Sequence, residues 1–203
     1  MFNVLSFGAE PDAALLRAMF AARKSVFVDL LGWNVPVLGD KYEIDQFDDV
    51  HARYLILSED GRHLASARLL PTTREGILSG LYPMLCEGPP PASPDVFEIT
   101  RFCLDRSLNA CERRAVRNTL VACLATYALG EKIGAYCAVA DPAWYRQIEQ
   151  FGWDCRPLGP PRRIFGEELV AMRIEITGET PALLARAGIV SSSTEPGASR
   201  HVA

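Results

Sequence analysis

The chain has 203 residues, 49% of them apolar and 23% charged, with a formal net charge of −4. That balance is too apolar for a disordered chain and too acidic overall for a nucleic-acid binder, and the length suffices for a proper core. The charge is uneven, however: acids crowd "DKYEIDQFDD" (40–49) and arginines crowd "RFCLDRSLNACERRAVR" (101–117).

Taken in chain order, "NVLSF" (3–7) reads as a first strand. "PDAALLRAMFAARKSVFVDLLGW" reads as one helix, with Pro11 in its first turn and Gly32 at its end. Residues 33–50 form an irregular acidic connection. "HARYLILS" and "RHLASARLLP" flank "EDG", a hairpin signal with Asp60-Gly61 at the turn. Seven residues, Pro71, Pro83, Gly88, Pro89, Pro90, Pro91 and Pro94, make 71–96 largely loop.

A strand, "FEITRFCLD", follows, with Glu98 and Arg101 set among apolar residues. Charges inside a buried strand are costly unless each finds a partner. Residues three apart on a regular strand point to opposite faces. Either Arg101 reaches acids of the 40s loop from the other face, or a β-bulge brings both charges to one side.

"CERRAVRNTLVACLATYALGEK" then reads as helix, closed by Gly130 or Gly134, and "AYCAVA" as a buried strand. "DPAWYRQIEQFG" reads as helix with Asp141 as N-cap and Pro142 at the first position. "WDCRPLG" and "EELVAMRIEI" are late strands. One domain over 1–186 is expected, with a small, polar, disordered tail at 187–203.

Six cysteines (86, 103, 111, 123, 137 and 155) form no C-x-x-C pair and no zinc spacing with histidine, so free thiols in a reducing cytoplasm are expected, and no metal. "MFNVLSFGAE" lacks the basic start and apolar run of a signal peptide, and no stretch approaches a membrane span.

The element order predicts an α/β/α sandwich around one mixed sheet. It resembles the N-acetyltransferase superfamily, in which two neighbouring parallel strands splay apart in a V to admit an acyl thioester; strands there often carry the bulge considered for Glu98 and Arg101. Four segments extend the likeness: "RKSVFVDLLGW" with Arg23, Phe27 and Trp33; "DQFD" with Asp45 and Asp48; "ARLLPT" with Arg68; and "FEITRF" with Glu98, Arg101 and Phe102. Together, in this order and at these separations, they resemble the acyl-homoserine-lactone synthases of bacterial quorum sensing.

That resemblance implies N-acylation of S-adenosylmethionine by a fatty-acyl thioester, then lactonisation with loss of methylthioadenosine. Both small molecules are substrates, and no cofactor is implied. Asp45, Asp48 and Glu98 would hold the substrate ammonium, with Glu98 as base through a water. Arg68 and Arg101 would balance those acids or grip the substrate carboxylate. Phe27 and Trp33 would stack on adenine or face the sulfonium. Taken singly, the aromatics also suit a packed core, the loop acids and Arg23 a solvated surface.

Two departures bear on the acyl group. "SLNACERRAVRN" (107–118) lacks the glycine-containing loop with which N-acetyltransferases hold the pyrophosphate of coenzyme A, which points to acyl carrier protein while leaving acyl-CoA open. Arg106, Arg113, Arg114 and Arg117, with Lys132 and Arg146, would offer that acidic carrier a basic patch. Ala140 stands where family members that make 3-oxo signals tend to carry threonine, so an unsubstituted chain is expected. The competing readings are an N-acyltransferase acting on another amine from acyl-CoA, and a catalytically idle acyl-binding module.

Overall fold

The computed structural model describes residues 1–6 and 13–190. Phe7, Pro11 and 191–203, on which parts of the first strand, the first helix and the tail were expected, lie outside the described residues. The chain packs as two compact units, Met1–Arg68 with Arg101–Cys123, and Leu69–Thr100 with Leu124–Val190.

In the first unit, β1 (Phe2–Ser6) pairs antiparallel with β4 (Arg53–Glu59), Phe2 opposite Leu57 and Ser6 opposite Arg53. The expected hairpin joins β4 to β5 (Arg62–Pro71), with Asp60 at φ +49° and Gly61 at φ +77° in its turn. Both strands are buried almost end to end, as expected of a sheet covered on both faces.

Helix α1 (Ala13–Arg23) buries Leu16, Met19, Phe20 and Arg23, a stripe at helical spacing. The single helix expected as far as Gly32 does not persist. From Lys24 to Val28 the backbone widens into a π turn, with Asp29 N bonded to Lys24 O at 3.1 Å and Leu31 N to Val26 O at 3.0 Å. Such wide turns cost hydrogen-bond geometry and recur at functional sites. Here the turn carries Phe27, which packs with Val26 and Cys103. The acidic connection is more ordered than its composition indicated: β2 (Val37–Leu38) and β3 (Tyr42–Glu43) form a small hairpin, with Gly39 and Asp40 both at positive φ.

The second unit holds β6 (Val96–Leu104) as far as Thr100, and there it runs parallel to β7 (Ala135–Ala140), Val96, Phe97 and Glu98 lying opposite Ala135, Tyr136 and Cys137. β10 (Glu167–Glu175) pairs antiparallel with β7, and β8 (Asp154–Pro157) and β9 (Arg162–Ile164) both pair with β10. β9, a short strand after two prolines, was not apparent in the sequence. Hydrogen-bonded neighbours run β1-β4-β5 among the earlier strands and β6-β7-β10-β8 among the later ones, with β9 on β10, and β6 and β7 are parallel.

Helix α2 (Ala110–Gly130) ends at the first of its two candidate glycines. Asn109 caps its start: Oδ1 accepts from the N–H groups of Cys111 and Glu112, both at 3.0 Å, while Asn109 N–H donates to Glu112 at 2.9 Å. Helix α3 (Pro142–Glu149) is capped by Asp141 as expected and packs on β8 and β10. The Pro-rich stretch 71–96 is not all loop. It holds a π turn at Ile77–Leu81 and a 3-10 turn at Pro83–Leu85, pinned by Leu78 and Leu85 in a core with Val96, Ala135, Cys137 and Ala171. A last helix, α4 (Thr180–Arg186), was also not foreseen.

Candidate functional site

Five of the residues singled out in the sequence meet in the first unit. Arg23 closes α1, Asp45 and Asp48 follow β3, Arg68 lies on β5, and Arg101 lies on β6. A sixth residue, Glu43, joins them. Arg23 donates through Nε to Glu43, and through Nη1 and Nη2 to Asp48 at 2.8 and 2.9 Å. Arg68 donates to both oxygens of Asp45, at 2.6 and 3.0 Å, and its Nη1 also lies 2.8 Å from Asp48. Arg101 donates to Glu43 at 3.0 and 3.1 Å and to Asp45 at 2.7 Å.

Followed round, these contacts form a closed ring of alternating charge: Arg23, Asp48, Arg68, Asp45, Arg101, Glu43 and back to Arg23. Five of the six side chains are at most 4% exposed, and Arg101 is 10% exposed.

Removing so many charges from water carries a large desolvation cost. The ring meets it with planar guanidinium forks on carboxylates, the geometry that best offsets burial. Further donors fill the remaining lone pairs: Tyr54 Oη and Asp45 N–H each donate to Asp48 at 2.8 Å, and Phe47 N–H donates to Asp45 at 2.9 Å. Burial works against the Asp48 carboxylate, yet Arg23 and Arg68 outweigh it and hold the group well below the usual carboxylate range. Burial likewise opposes the Arg23 charge, and Asp48 and Glu43 outweigh it.

Aromatic rings floor this network. Phe27 and Trp33 stack at 4.7 Å and 17°, a geometry fixed by the Trp33 N–H bond to Phe27 O at 2.8 Å across the end of the π turn. The Arg101 guanidinium lies 5.6 Å from the Phe27 ring and 5.8 Å from the Trp33 ring. Phe27 is buried, whereas Trp33 is 45% exposed.

In the second unit Glu98 is 3% exposed, and its carboxylate is held by backbone. Ile77 N–H donates to Oε2 at 2.9 Å and Leu78 N–H to Oε1 at 2.8 Å. The two charges of "FEITRF" thus have different partners. The break in regular strand geometry falls on Arg101 itself, at φ +50°, a region that non-glycine residues rarely enter. Arg101 reaches the acids of the 40s loop, the partners expected of it if it faced away from Glu98.

Phe102 follows on β6, half-buried, and Ala140 ends β7, buried opposite Val170. Arg113, Arg114 and Arg117 lie on the first turns of α2, and Arg114 is exposed. Arg113 donates to Asp105 O at 3.2 Å, and Arg117 to Asn118 at 2.9 and 3.2 Å. Burial, then the like charge of Arg114, hold Arg117 below its ordinary pKa. Arg106 is also exposed and reaches Ser25 Oγ at 3.4 Å; Lys132 and Arg146, grouped with these arginines from the sequence, belong to the second unit.

Sequence reasoning passed over Glu43, Tyr54, and the turn at 76–78. Glu43 had a signal: it stands two residues before Asp45 in an extended segment, on the same face. The backbone seat of Glu98 had none.

Residues 9–182 match the sequence model of a family described as Autoinducer synthase. An acyl-homoserine-lactone synthase of Ralstonia solanacearum is 35% identical over 197 residues, 92% of this chain and 91% of that protein. Among solved structures, the chain is similar to a CoA-dependent acyl-homoserine lactone synthase, BjaI, with SAM and isopentyl-CoA: TM-score 0.83, 26% identity, 93% of this chain and 90% of that one. A putative N-acetyltransferase from Lactobacillus plantarum, 16% identical with a TM-score of 0.58 over 87% of this chain and 99% of that one, shares the fold alone.

Proposed function

Because the chain belongs to the autoinducer synthases, the family of acyl-homoserine-lactone synthases, we propose how its own residues divide that reaction. The substrates are S-adenosylmethionine and a fatty-acyl thioester. The substrate ammonium loses one proton and its nitrogen attacks the thioester carbonyl. As the C–S bond breaks the nitrogen loses a second proton, so that one of the two leaves with the thiol and the other passes to solvent. The substrate carboxylate then attacks its own Cγ, the Cγ–S bond breaks, and methylthioadenosine leaves as a neutral thioether. No metal or redox cofactor enters this balance.

The observation that carries the assignment is the closed ring. The oxygens of Asp45 and Asp48 are already occupied by Arg23, Arg68, Arg101, Tyr54 and backbone N–H groups. We therefore give these two acids and Glu43 the work of holding guanidinium groups, rather than the ammonium directly. Among the described residues, Nη1 of Arg101 has no acceptor, and Arg101 is the most exposed member of the ring. It is the group placed to grip the substrate carboxylate, beside the open face of Trp33, where the sulfonium or adenine stacks. Glu98, its carboxylate set by the two backbone N–H groups, takes the ammonium proton through a water.

The donor is an acyl thioester of carrier protein or coenzyme A. The first-turn N–H groups of α2, which would otherwise cradle a pyrophosphate, are taken by Asn109, and this supports the carrier protein. Ala140 offers no hydroxyl to a 3-oxo group, which supports an unsubstituted chain. All six cysteines are free thiols, and no helix among the described residues is long and apolar enough to cross a membrane; we place the reaction in the cytoplasm.

Release of methylthioadenosine from S-adenosylmethionine and an acyl thioester tests the reaction, because acylation of another amine yields none. Arg101→Lys tests the carrying observation. A point charge replaces the fork, and the expected result is a KM for S-adenosylmethionine raised about tenfold. An unchanged KM removes Arg101 from the carboxylate.

A further inference from the structure

Resting on the reading of Glu98 as base, we propose that Gly76 is its positioning residue: the missing side chain at 76 is the space in which the Glu98 carboxylate sits. A Cβ built on Gly76 would collide with Glu98 Oε2, far inside any approach that real Cβ atoms make. The nearest atom outside Glu98 is Leu70 Cδ1 at 4.0 Å, an ordinary contact. Nothing else near Gly76 demands glycine. Its backbone lies at φ −122° and ψ −165°, extended geometry that any residue adopts. The glycine serves the carboxylate and not the turn.

The surrounding turn is built to hold that seat. Gly76 N–H donates to Ser79 Oγ at 2.9 Å, and Gly80 N–H to Gly76 O at 3.0 Å, closing the chain on itself. The closure aims the next two N–H groups, of Ile77 and Leu78, at the two oxygens of Glu98. Leu78, 2% exposed, anchors the turn in the core with Leu85, Val96 and Cys137. On β6, Glu98 stands opposite Cys137 in register with β7, so strand and turn approach the carboxylate from separately anchored elements. A base displaced by about 1 Å loses on the order of a hundredfold in rate.

Gly76→Ala tests this directly, because the flexible end of Glu98 can yield while the backbone need not. The expected result is a kcat lowered roughly 10- to 100-fold, KM values for both substrates within about threefold, and a melting temperature within about 3 °C of the parent. In the Glu98→Gln background the same substitution should lower kcat no further. If Gly76→Ala melts early, Ser79→Ala loosens the same seat without adding an atom, and should lower kcat by a few fold with the same lack of effect on Glu98→Gln. Near-parental kcat in folded Gly76→Ala, or losses that multiply with Glu98→Gln, would overturn the proposal. Near-parental kcat in Glu98→Gln alone would instead overturn the base assignment, so the two failures are distinct.

Discussion

The buried acids of the first unit are held by side chains, and Glu98 of the second is held by backbone N–H groups. In the ring, three carboxylates face three guanidinium groups, and charge is cancelled locally. At Glu98, two N–H groups of one turn orient the carboxylate. The difference separates two kinds of burden. A ring that cancels its own charge is suited to hold a platform, and each member depends on its neighbours. A carboxylate oriented by backbone N–H groups is suited to work as a base.

Breaking one member of each site should expose this contrast. Glu98→Gln keeps shape but cannot accept the proton, so kcat should fall roughly 10²- to 10⁴-fold. Its amide NH2 must face one of the two backbone donors, which costs about 1–2 kcal/mol and leaves the chain folded. Asp48→Asn should do the reverse. It leaves Arg23 and Arg68 buried beside a neutral group, a loss of about 3–5 kcal/mol in stability, with a smaller effect on kcat in whatever remains folded. Denaturant melts and single-turnover rates on both variants decide the matter; equal profiles would dissolve the distinction.

The same contrast explains what could be read from the letters. Glu98 and Arg101 were legible because charges amid apolar neighbours must find partners. Arg23, Asp45, Asp48 and Arg68 were legible only through the resemblance of their segments, since taken singly the loop acids and Arg23 also suit a solvated surface. The Asp60-Gly61 hairpin and the Asp141-Pro142 helix start were legible because each uses residues whose side chains dictate the backbone. Backbone donors carry no letter of their own, so the seat made by Ile77 and Leu78 was hidden in what read as Pro-rich loop. The π turn at Lys24–Val28 was hidden for a related reason: one extra residue per turn shifts an apolar stripe too little to interrupt it. Gly76 lies in the same stretch as that seat, and only the position of Glu98 gives it a task.

Acid titration sharpens the comparison further, since it reaches the ring without mutation. His63 lies buried on β5, with one ring nitrogen 2.9 Å from Ser66 Oγ. Among the described residues, its Nδ1 has no partner. Burial pushes its pKa down to about 4, the charge of Asp105 opposing. The unfolded chain takes up this proton near the ordinary value of about 6.5, and the folded chain only near 4. Between those values the unfolded state binds more protons, so stability falls as pH falls, by on the order of 3 kcal/mol in all. Asp48, held low in the fold, contributes stability that is lost only as pH drops below the ordinary carboxylate value of about 4. The expected melting curve therefore declines in two stages, and His63→Val removes the first while leaving the ring's stage below pH 4. A single decline that His63→Val leaves unmoved would mean that His63 does not titrate as its burial demands.

The smallest expected effect tests charge outside both sites. Arg114 is open to solvent, and its charge bears on Arg117 one turn along. Neither this pair nor Arg113 belongs to the ring or to the seat of Glu98. If α2 greets an acidic carrier, Arg113→Glu with Arg114→Glu removes two attractive charges and adds two repulsive ones at a rim, where charge acts mainly on association rate. KM for acyl carrier protein should rise about 3- to 10-fold with kcat nearly unchanged, and the dependence of KM on salt should weaken. Arg113 also holds Asp105 O, so Arg114→Glu alone should reproduce the direction of the effect without that lost bond. Acyl-CoA should suffer less, because the N–H groups at the start of α2 are already taken by Asn109. Equal losses with both donors would mean that these arginines read phosphate rather than protein, and unchanged kinetics with both would leave them as solvated charges on a helix.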